Sequence, residues 1–326
     1  MSYNTATNRP SVLLTDYAWA NLDIERETLD AAGIELVVAE KSDADSLAAL
    51  AFEHQVDAIM TNWAKVPASV IAASPRVKIV SRLGIGLDNI DVEYCTEHGI
   101  PVTNIPDYCI IEVAEHALAL MFALSRKVAF YHHATKEGRY ELQAGPVLRR
   151  IEGQTLGIIG FGNIGRCLAD KARCLGLKIL AYNRSPKQEH GVEFVDLDTL
   201  LARSDYVSLH LPATADSKNL MNAERLAKMK PTAYLINTAR GAVVDERALA
   251  EAIASGHLAG AALDVQQIEP PDLTQSPYHD PRVIVTPHAA FVSQESLENL
   301  RRRTAQQIVD RLAGRTPENV RNGVAL

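Results

Sequence analysis

Residues 155 to 183 read TLGIIGFGNIGRCLADKARCLGLKILAYN, and no other stretch limits the architecture so tightly. An apolar run leads into glycines at 160, 162 and 165, a helical pattern follows, and a second apolar run ends at Asn183, 18 residues beyond the third glycine. That order predicts a strand, a tight turn, a helix and a parallel strand. In such a unit the first glycine permits the turn, the second admits a pyrophosphate close to backbone, and the third lets helix pack on strand. Phosphate then sits at the helix N-terminus. Gly160, Phe161, Gly162, Asn163, Ile164 and Gly165 are therefore expected to line a dinucleotide.

The second strand ends in Asn183-Arg184-Ser185 and not in an acid. A site for NAD places an acid there to accept hydrogen bonds from the ribose hydroxyls, whereas a 2′-phosphate repels an acid and favours a nearby arginine. Arg184 offers a planar fork of donors, Ser185 a hydroxyl and Lys187 further positive charge. The reading is NADP(H) as the preferred cofactor, with NAD(H) as the alternative.

Apolar runs alternate with helical patterns along most of the chain: SVLLTD, IELVVA, DAIMTN and KIVSRLG in the first part, then TLGIIG, KILAYN, YVSLHL, AYLINTA, AGAALDV and VIVTPH. This predicts an α/β protein with two doubly wound, Rossmann-like parallel-sheet domains and an inter-domain active-site cleft. IPVTNIPDYC breaks the pattern before a long helix expected from Ile111 to about Glu137. The final helix, Ser293 to Gly314, has no strand of its own and is expected to return to the first domain. Residues 1–104 with 293–326 would form one domain, and 105–292 the dinucleotide-binding domain.

The length of 326 residues, 47% of them hydrophobic and 22% charged, suits two ordinary globular domains. A net charge of −7 without a basic block argues against nucleic acid or an anionic membrane as partner. The one basic run, Arg301 to Arg303, reads as the solvated face of a helix. Cys95, Cys109, Cys167 and Cys174 show no CxxC spacing, so neither a disulfide framework nor structural zinc is expected. The polar start MSYNTATNRP and the lack of a long apolar stretch make a cytoplasmic location the default expectation. No histidine sits in a cluster at metal-ligand spacing, so no metal is expected.

Three later segments each end an expected strand with a polar residue of interest: LINTARGAVVDE with Arg240, ALDVQQIEPPD with Asp264 and Glu269, and VIVTPHAAF with His288. Ligands of open α/β sheets bind at the carboxyl ends of strands, so all three can converge. Singly, Arg240 could cap a turn, Glu269 could sit on a solvated loop, and His288 could be a satisfied structural histidine. Together they match the reduction of a 2-keto acid. Arg240 would clamp the carboxylate, His288 would deliver the proton, and Glu269 beside the imidazole would favour its protonated form.

LGIIGFGNIG, INTARGAVVDE, ALDV…EP, TPHAAF and RLGIGLDNID, in their order and spacing, resemble the D-isomer-specific 2-hydroxyacid dehydrogenase family over nearly the whole chain. IPDYCIIEVAEHALAL and TPHAAF further resemble the branch that includes C-terminal-binding-protein-like dehydrogenases, beside the phosphoglycerate dehydrogenases. The resemblance implies an NAD(P)-dependent oxidoreductase moving a hydride to or from C2 of a small 2-keto or 2-hydroxy acid. It puts Arg240, Glu269 and His288 on the family's arginine, glutamate and acid/base histidine, and Asp264 on an aspartate that contacts the nicotinamide amide. His210, Leu211, Pro212, Ser217, Thr238 and Ala239 fall on loops lining the cofactor. Arg82, Leu83, Gly84 and Ile85 fall on the loop that grips the substrate carboxylate. It further implies a homodimer through the nucleotide domain. Gln266-Gln267 departs from the aromatic and acid of many relatives. Two alternatives stay open: a dinucleotide-sensing binding protein, and a phosphite or one-carbon anion dehydrogenase.

Overall fold

The computed structural model describes residues 9–142, 147–185 and 188–325. The chain divides into two compact units, Met1–Tyr108 with Ser293–Leu326, and Cys109–Val292. In the first unit β1 (Ser11–Leu14), β2 (Glu35–Val38), β3 (Ala58–Thr61), β4 (Val80–Arg82) and β5 (Val102–Thr103) form a parallel sheet in the order β2-β1-β3-β4-β5. Helices α1 (Asp23–Ala31), α2 (Ala44–His54), α3 (Ala68–Ala72) and α4 (Val92–Glu97) make the crossovers. Val12, Leu14, Ala58 and Met60 pack on one face of the sheet, and Leu13, Ile59, Val80 and Val102 on the other. Burial on both faces is why these strands read as unbroken apolar runs.

The second unit begins with α5 (Ile110–Ser125) and α6 (Val128–Lys136). Its strands are β6 (Thr155–Ile159), β7 (Lys178–Tyr182), β8 (Glu193–Phe194), β9 (Tyr206–Leu209), β10 (Tyr234–Asn237), β11 (Gly260–Leu263) and β12 (Val283–Val285). They pair in parallel in the order β12-β11-β10-β9-β6-β7-β8. The crossovers carry α7 (Asn163–Cys174), α8 (Leu197–Arg203), α9 (Ala223–Ala227) and α10 (Glu246–Ala254). The carboxylates of Asp196 and Asp245 each accept from a backbone N–H in the first turn of α8 and α10, which fixes where those helices start. The chain runs outward from β6 through β7 to β8, then returns to β9 and runs the other way. The crevice between β6 and β9 is thus the switch point at which a doubly wound sheet takes its ligand.

The expected single helix from Ile111 to Glu137 is two helices. Lys127 takes a left-handed φ of 54°, and its ammonium lies 4.7 Å above the Tyr234 ring. A tertiary cation–π contact overrides local periodicity there. β5 and β8 were not expected, because two residues are too few to show a period.

The last helix, α11 (Gln294–Leu312), belongs to the first unit, where Leu300, Ala305 and Ile308 pack with Leu22, Leu29 and Ile34. The Arg301 to Arg303 run is not uniformly solvated. Arg301 is buried: its Nε donates to Glu25 Oε1 at 2.8 Å and its Nη2 to Glu25 Oε2 at 2.6 Å, while its guanidinium lies over Trp19. The fully buried Glu25 of α1 compensates the charge, so the helix face that carries it can be covered. Arg302 and Arg303 pair with acids nearer the surface. Among the described residues no helix is long and apolar enough to cross a membrane, and no cluster of three metal-ligating side chains occurs.

Candidate active site

The three glycines after β6 answer to different demands. Gly160 has φ 93°, and a side chain on it would collide with the His210 carbonyl. A Cβ on Gly165 would lie 2.6 Å from the carbonyl oxygen of Gly160 and 3.1 Å from Ile158, so helix α7 could not seat on its strand. Gly162 is different, since a Cβ there would meet nothing within 4 Å. The fold does not ask for glycine at 162; a ligand pressed against the backbone would. Helix α7 starts at Gly162 without a side-chain cap and without an acid in its first turn, leaving its amide donors and positive end to an anion.

A groove of about 370 Å³ opens at this switch point. Of the residues expected at the cofactor, Gly160, Gly162, Asn183, Arg184, Ser185, His210, Leu211, Pro212 and Ser217 line it. Asn183 is also a brace, accepting from the Phe161 amide at 3.2 Å and donating to the Ser185 carbonyl at 2.9 Å. The Phe161 ring points into the core, edge-on to Phe194. Ser217 Oγ donates to the Pro212 carbonyl at 2.6 Å and accepts from the Thr214 amide at 2.7 Å, which sets the loop after β9. Burial pushes the His210 imidazole down to about 4, so it is neutral near pH 7, with Nε2 2.8 Å from Ser208 Oγ. Arg184 is largely exposed. Lys187 lies outside the described residues.

Tyr182, Thr214 and Asp216 also line the groove and were not singled out in the sequence. Asp216 stands in a loop with no periodicity; its only signal was its place between Pro212 and Ser217, both already noted.

Arg240, Glu269 and His288 follow β10, β11 and β12, three neighbouring strands of this sheet. Asn237 shapes the first turn, accepting from the Ala239 amide at 3.0 Å and donating to the Arg240 carbonyl at 2.9 Å. Arg240 Nη1 donates to the Ala239 carbonyl at 2.8 Å. A side chain on Gly241 would collide with the backbone of Gln266 and Gln267; glycine there lets the Arg240 turn lie directly against the loop that carries Glu269. In that loop the Gln266 amide donates to Glu269 Oε1 at 3.0 Å, and Glu269 Oε2 accepts from His288 Nδ1 at 2.8 Å. Burial acts to raise the Glu269 carboxyl, but the His288 bond and the Gln266 amide outweigh it and hold it below its ordinary value. An ionised carboxylate only accepts, so Nδ1 carries the hydrogen and Nε2 is left for a substrate proton. Phe291 stands edge-on to the His288 ring, 6.2 Å between centroids.

Asp264 is fully buried and organises this corner. Its Oδ1 accepts from Thr286 Oγ1 at 2.6 Å and the Ala289 amide at 2.9 Å, its Oδ2 from the Ala290 amide at 2.9 Å, and its carbonyl from the His288 amide at 2.8 Å. His116 on α5 approaches the same carboxylate at 3.4 Å. Desolvation would raise the Asp264 carboxyl, but these donors hold it at about 2. His116 had no role in the sequence reading, because nothing local shows which way that helix face turns. Gln266 and Gln267 brace the loop: Gln266 Nε2 donates to the Leu263 carbonyl at 3.1 Å, Gln267 Nε2 to the Val244 carbonyl at 2.6 Å. Thr238 Oγ1 is buried and has no hydrogen-bond partner among the described residues, which fits a polar ligand beside it.

The 82–85 loop belongs to the first unit. Arg82 Nε donates to Asn89 Oδ1 at 3.2 Å and its Nη1 to Asn62 Oδ1 at 3.3 Å and to the Leu83 carbonyl. Asn104 Nδ2 donates to the Ile85 carbonyl at 2.6 Å. The switch point of this sheet, between β1 and β3, is filled by the chain's own acid. Asp16 accepts from the amides of Asn62, Trp63 and Ala64 at 3.1, 2.7 and 3.1 Å. A larger cavity of about 620 Å³ in the second unit, lined by Lys127, Tyr206, Tyr234 and Arg282, lies at the amino ends of the strands. Ligands of parallel sheets bind at the other end, so the smaller groove is the cofactor candidate.

Residues 118–290 match the D-isomer specific 2-hydroxyacid dehydrogenase, NAD binding domain family. Over 266 residues the chain is 42% identical to D-3-phosphoglycerate dehydrogenase from Synechocystis, covering 80% of this chain but 48% of that protein, so it spans about half of that relative's length. It is 41% identical over 262 residues to hydroxypyruvate reductase from Thermotoga maritima, with 79% of this chain and 84% of that one covered. An NADPH-dependent glyoxylate/hydroxypyruvate reductase from Sinorhizobium meliloti, solved with NADP and malonate, superposes with a TM-score of 0.85 at 27% identity, covering 97% of this chain and 98% of that one.

Proposed function

As the chain belongs to the D-isomer specific 2-hydroxyacid dehydrogenase family, we propose that it is a nicotinamide-dependent reductase of small 2-keto acids, running in reverse on the D-2-hydroxy acids. The observation that carries this is the 2.8 Å bond between His288 and Glu269, beside a turn that presents Arg240. Arg240 clamps the substrate carboxylate through two parallel N–H donors. His288 holds at Nε2 the proton that passes to the keto oxygen, and Glu269 keeps the ring oriented and stabilises it when charged. Asp264 holds the His288 turn in place and, with Thr238, faces the nicotinamide end. A bound nicotinamide supplies the hydride.

NADP(H) is the preferred cofactor in this reading. Arg184 and Ser185 line the groove, β7 does not end in an acid, and the Sinorhizobium meliloti structure holds NADP. A homodimer through the second unit is supported by the exposed side chains of Val128, Tyr140, Leu142 and Val147, gathered in one stretch. Cys95, Cys109, Cys167 and Cys174 form no disulfide, which suits a reducing compartment such as the cytoplasm.

The test is loss of reduced-nicotinamide absorbance with NADPH or NADH and a panel of glyoxylate, hydroxypyruvate, pyruvate and 3-phosphohydroxypyruvate. Turnover of at least one is expected, reversed by the matching 2-hydroxy acid and, wherever that product is chiral, by its D and not its L form. Dinucleotide binding with no turnover of any 2-keto acid would replace the enzyme with a dinucleotide-sensing protein.

A further inference from the structure

Asp216 lies across the groove from Arg184, its Oδ2 3.5 Å from Arg184 Nη1, and both side chains line the same space as Gly160, Gly162 and Ser185. Both are more than four-fifths exposed, at 85% and 84%, so neither charge is needed to hold the fold. The backbones beneath them are nonetheless fixed. Asn183 ties the Arg184 turn to the glycine loop, and Ser217 ties the Asp216 loop to Pro212 and Thr214. Two exposed opposite charges thus face each other over the place where the sequence reading puts the ribose 2′ position.

The groove therefore does hold an acid, on the wall opposite the end of β7. We propose that Asp216 sets the choice between phosphorylated and unphosphorylated dinucleotide. In the free protein its carboxylate partly neutralises Arg184. A 2′-phosphate must then draw Arg184 away and lie close to a like charge, whereas a ribose diol donates to Asp216 and leaves the Arg184 pair intact. Arg184 favours the phosphate, Asp216 opposes it, and the measured preference is the difference between the two. This deepens the NADP(H) reading above and rests on it.

The experiment measures Kd for NADPH and for NADH by titrating nicotinamide fluorescence with wild type, Asp216→Asn, Arg184→Ala and the double variant, at low and high salt. No turnover is required. Removing one carboxylate charge about 6 Å from a phosphate dianion at near-aqueous dielectric is expected to tighten NADPH about tenfold. NADH should weaken by a few-fold as a ribose acceptor is lost. Arg184→Ala is expected to move the ratio the other way, and the Asp216→Asn effect should shrink at high salt as exposed charges are screened. A ratio of Kd values in Asp216→Asn within about twofold of wild type, below the effect of a single like charge, or shifted toward NADH, overturns this inference while leaving the enzyme class standing. If wild type binds neither nucleotide, the proposed function and this inference fall together.

Discussion

Replacing Asp264 by Asn changes one atom type at the point on which the His288 turn hangs. The carboxylate gives two acceptor oxygens to Thr286 Oγ1 and to the amides of Ala289 and Ala290. An asparagine has one such oxygen, and whichever way it flips, its NH₂ faces at least one backbone N–H. A charge-assisted bond is lost and a buried donor is orphaned, for an expected cost of about 2–4 kcal/mol.

The cost must also depend on pH in a set direction. Asp264 is held at about 2 against an ordinary 3.8, so the folded state binds its proton less readily than the unfolded chain. The stability this contributes is full above the unfolded value and is lost as pH falls through the folded one; the difference between 3.8 and about 2 corresponds to about 2 kcal/mol at roughly 1.4 kcal/mol per tenfold. Asn has no such titration, so the gap between wild type and variant should narrow by about 1 kcal/mol between roughly pH 6 and pH 3. Urea unfolding followed by far-ultraviolet circular dichroism reads it. Both tryptophans, Trp19 and Trp63, lie in the first unit, and their fluorescence is the control. A loss below about 1 kcal/mol, less than one buried hydrogen-bonded charge is worth, or a gap that does not change with pH, would refute this account of the turn.

Gly162→Ala should leave the melting temperature within experimental error, because a Cβ there meets nothing within 4 Å, while weakening dinucleotide binding at least about tenfold through loss of close backbone approach. Gly165→Ala should do damage without any ligand, about 1–3 kcal/mol of overpacking, and equal effects of the two substitutions on apo stability would contradict the division of roles. His288→Ala should lower kcat by roughly 100- to 10,000-fold with the best 2-keto acid, whereas near wild-type turnover removes its role as proton donor. Arg240→Lys, which keeps the charge but loses the planar fork, should raise KM for the keto acid and lower kcat/KM, with dinucleotide Kd unmoved; an unchanged KM would mean that Arg240 does not hold the carboxylate.

The strand, glycine turn and helix after β6 were legible because their causes are local: three glycines, a strand and a helix contiguous in sequence. The two parallel, doubly wound sheets were legible as an alternation of apolar runs with helical patterns, though the order of strands within each sheet was not. Asp216 was not, because its meaning depends on Arg184, a residue far away in the chain and brought opposite only by the reversal of strand order between β6 and β9. His116 was hidden for a similar reason, since a histidine on a long helix gives no sign that it will meet Asp264. Arg301 shows the converse error, where a run of three like charges read as solvated and one of them is enclosed against Glu25. Local composition cannot show which single turn of a helix will be covered.

The pair of Glu25 and Arg301 joins α1 near the start of the chain to α11 near its end, with the whole second unit encoded between them. During synthesis, therefore, the middle of the polypeptide can fold while the opening segment must wait, its apolar Leu22 and Leu29 uncovered and one acid without its counter-ion. A message cut short before codon 293 would yield a finished nucleotide-binding half attached to an incomplete one, a product for quality-control proteases rather than a smaller enzyme.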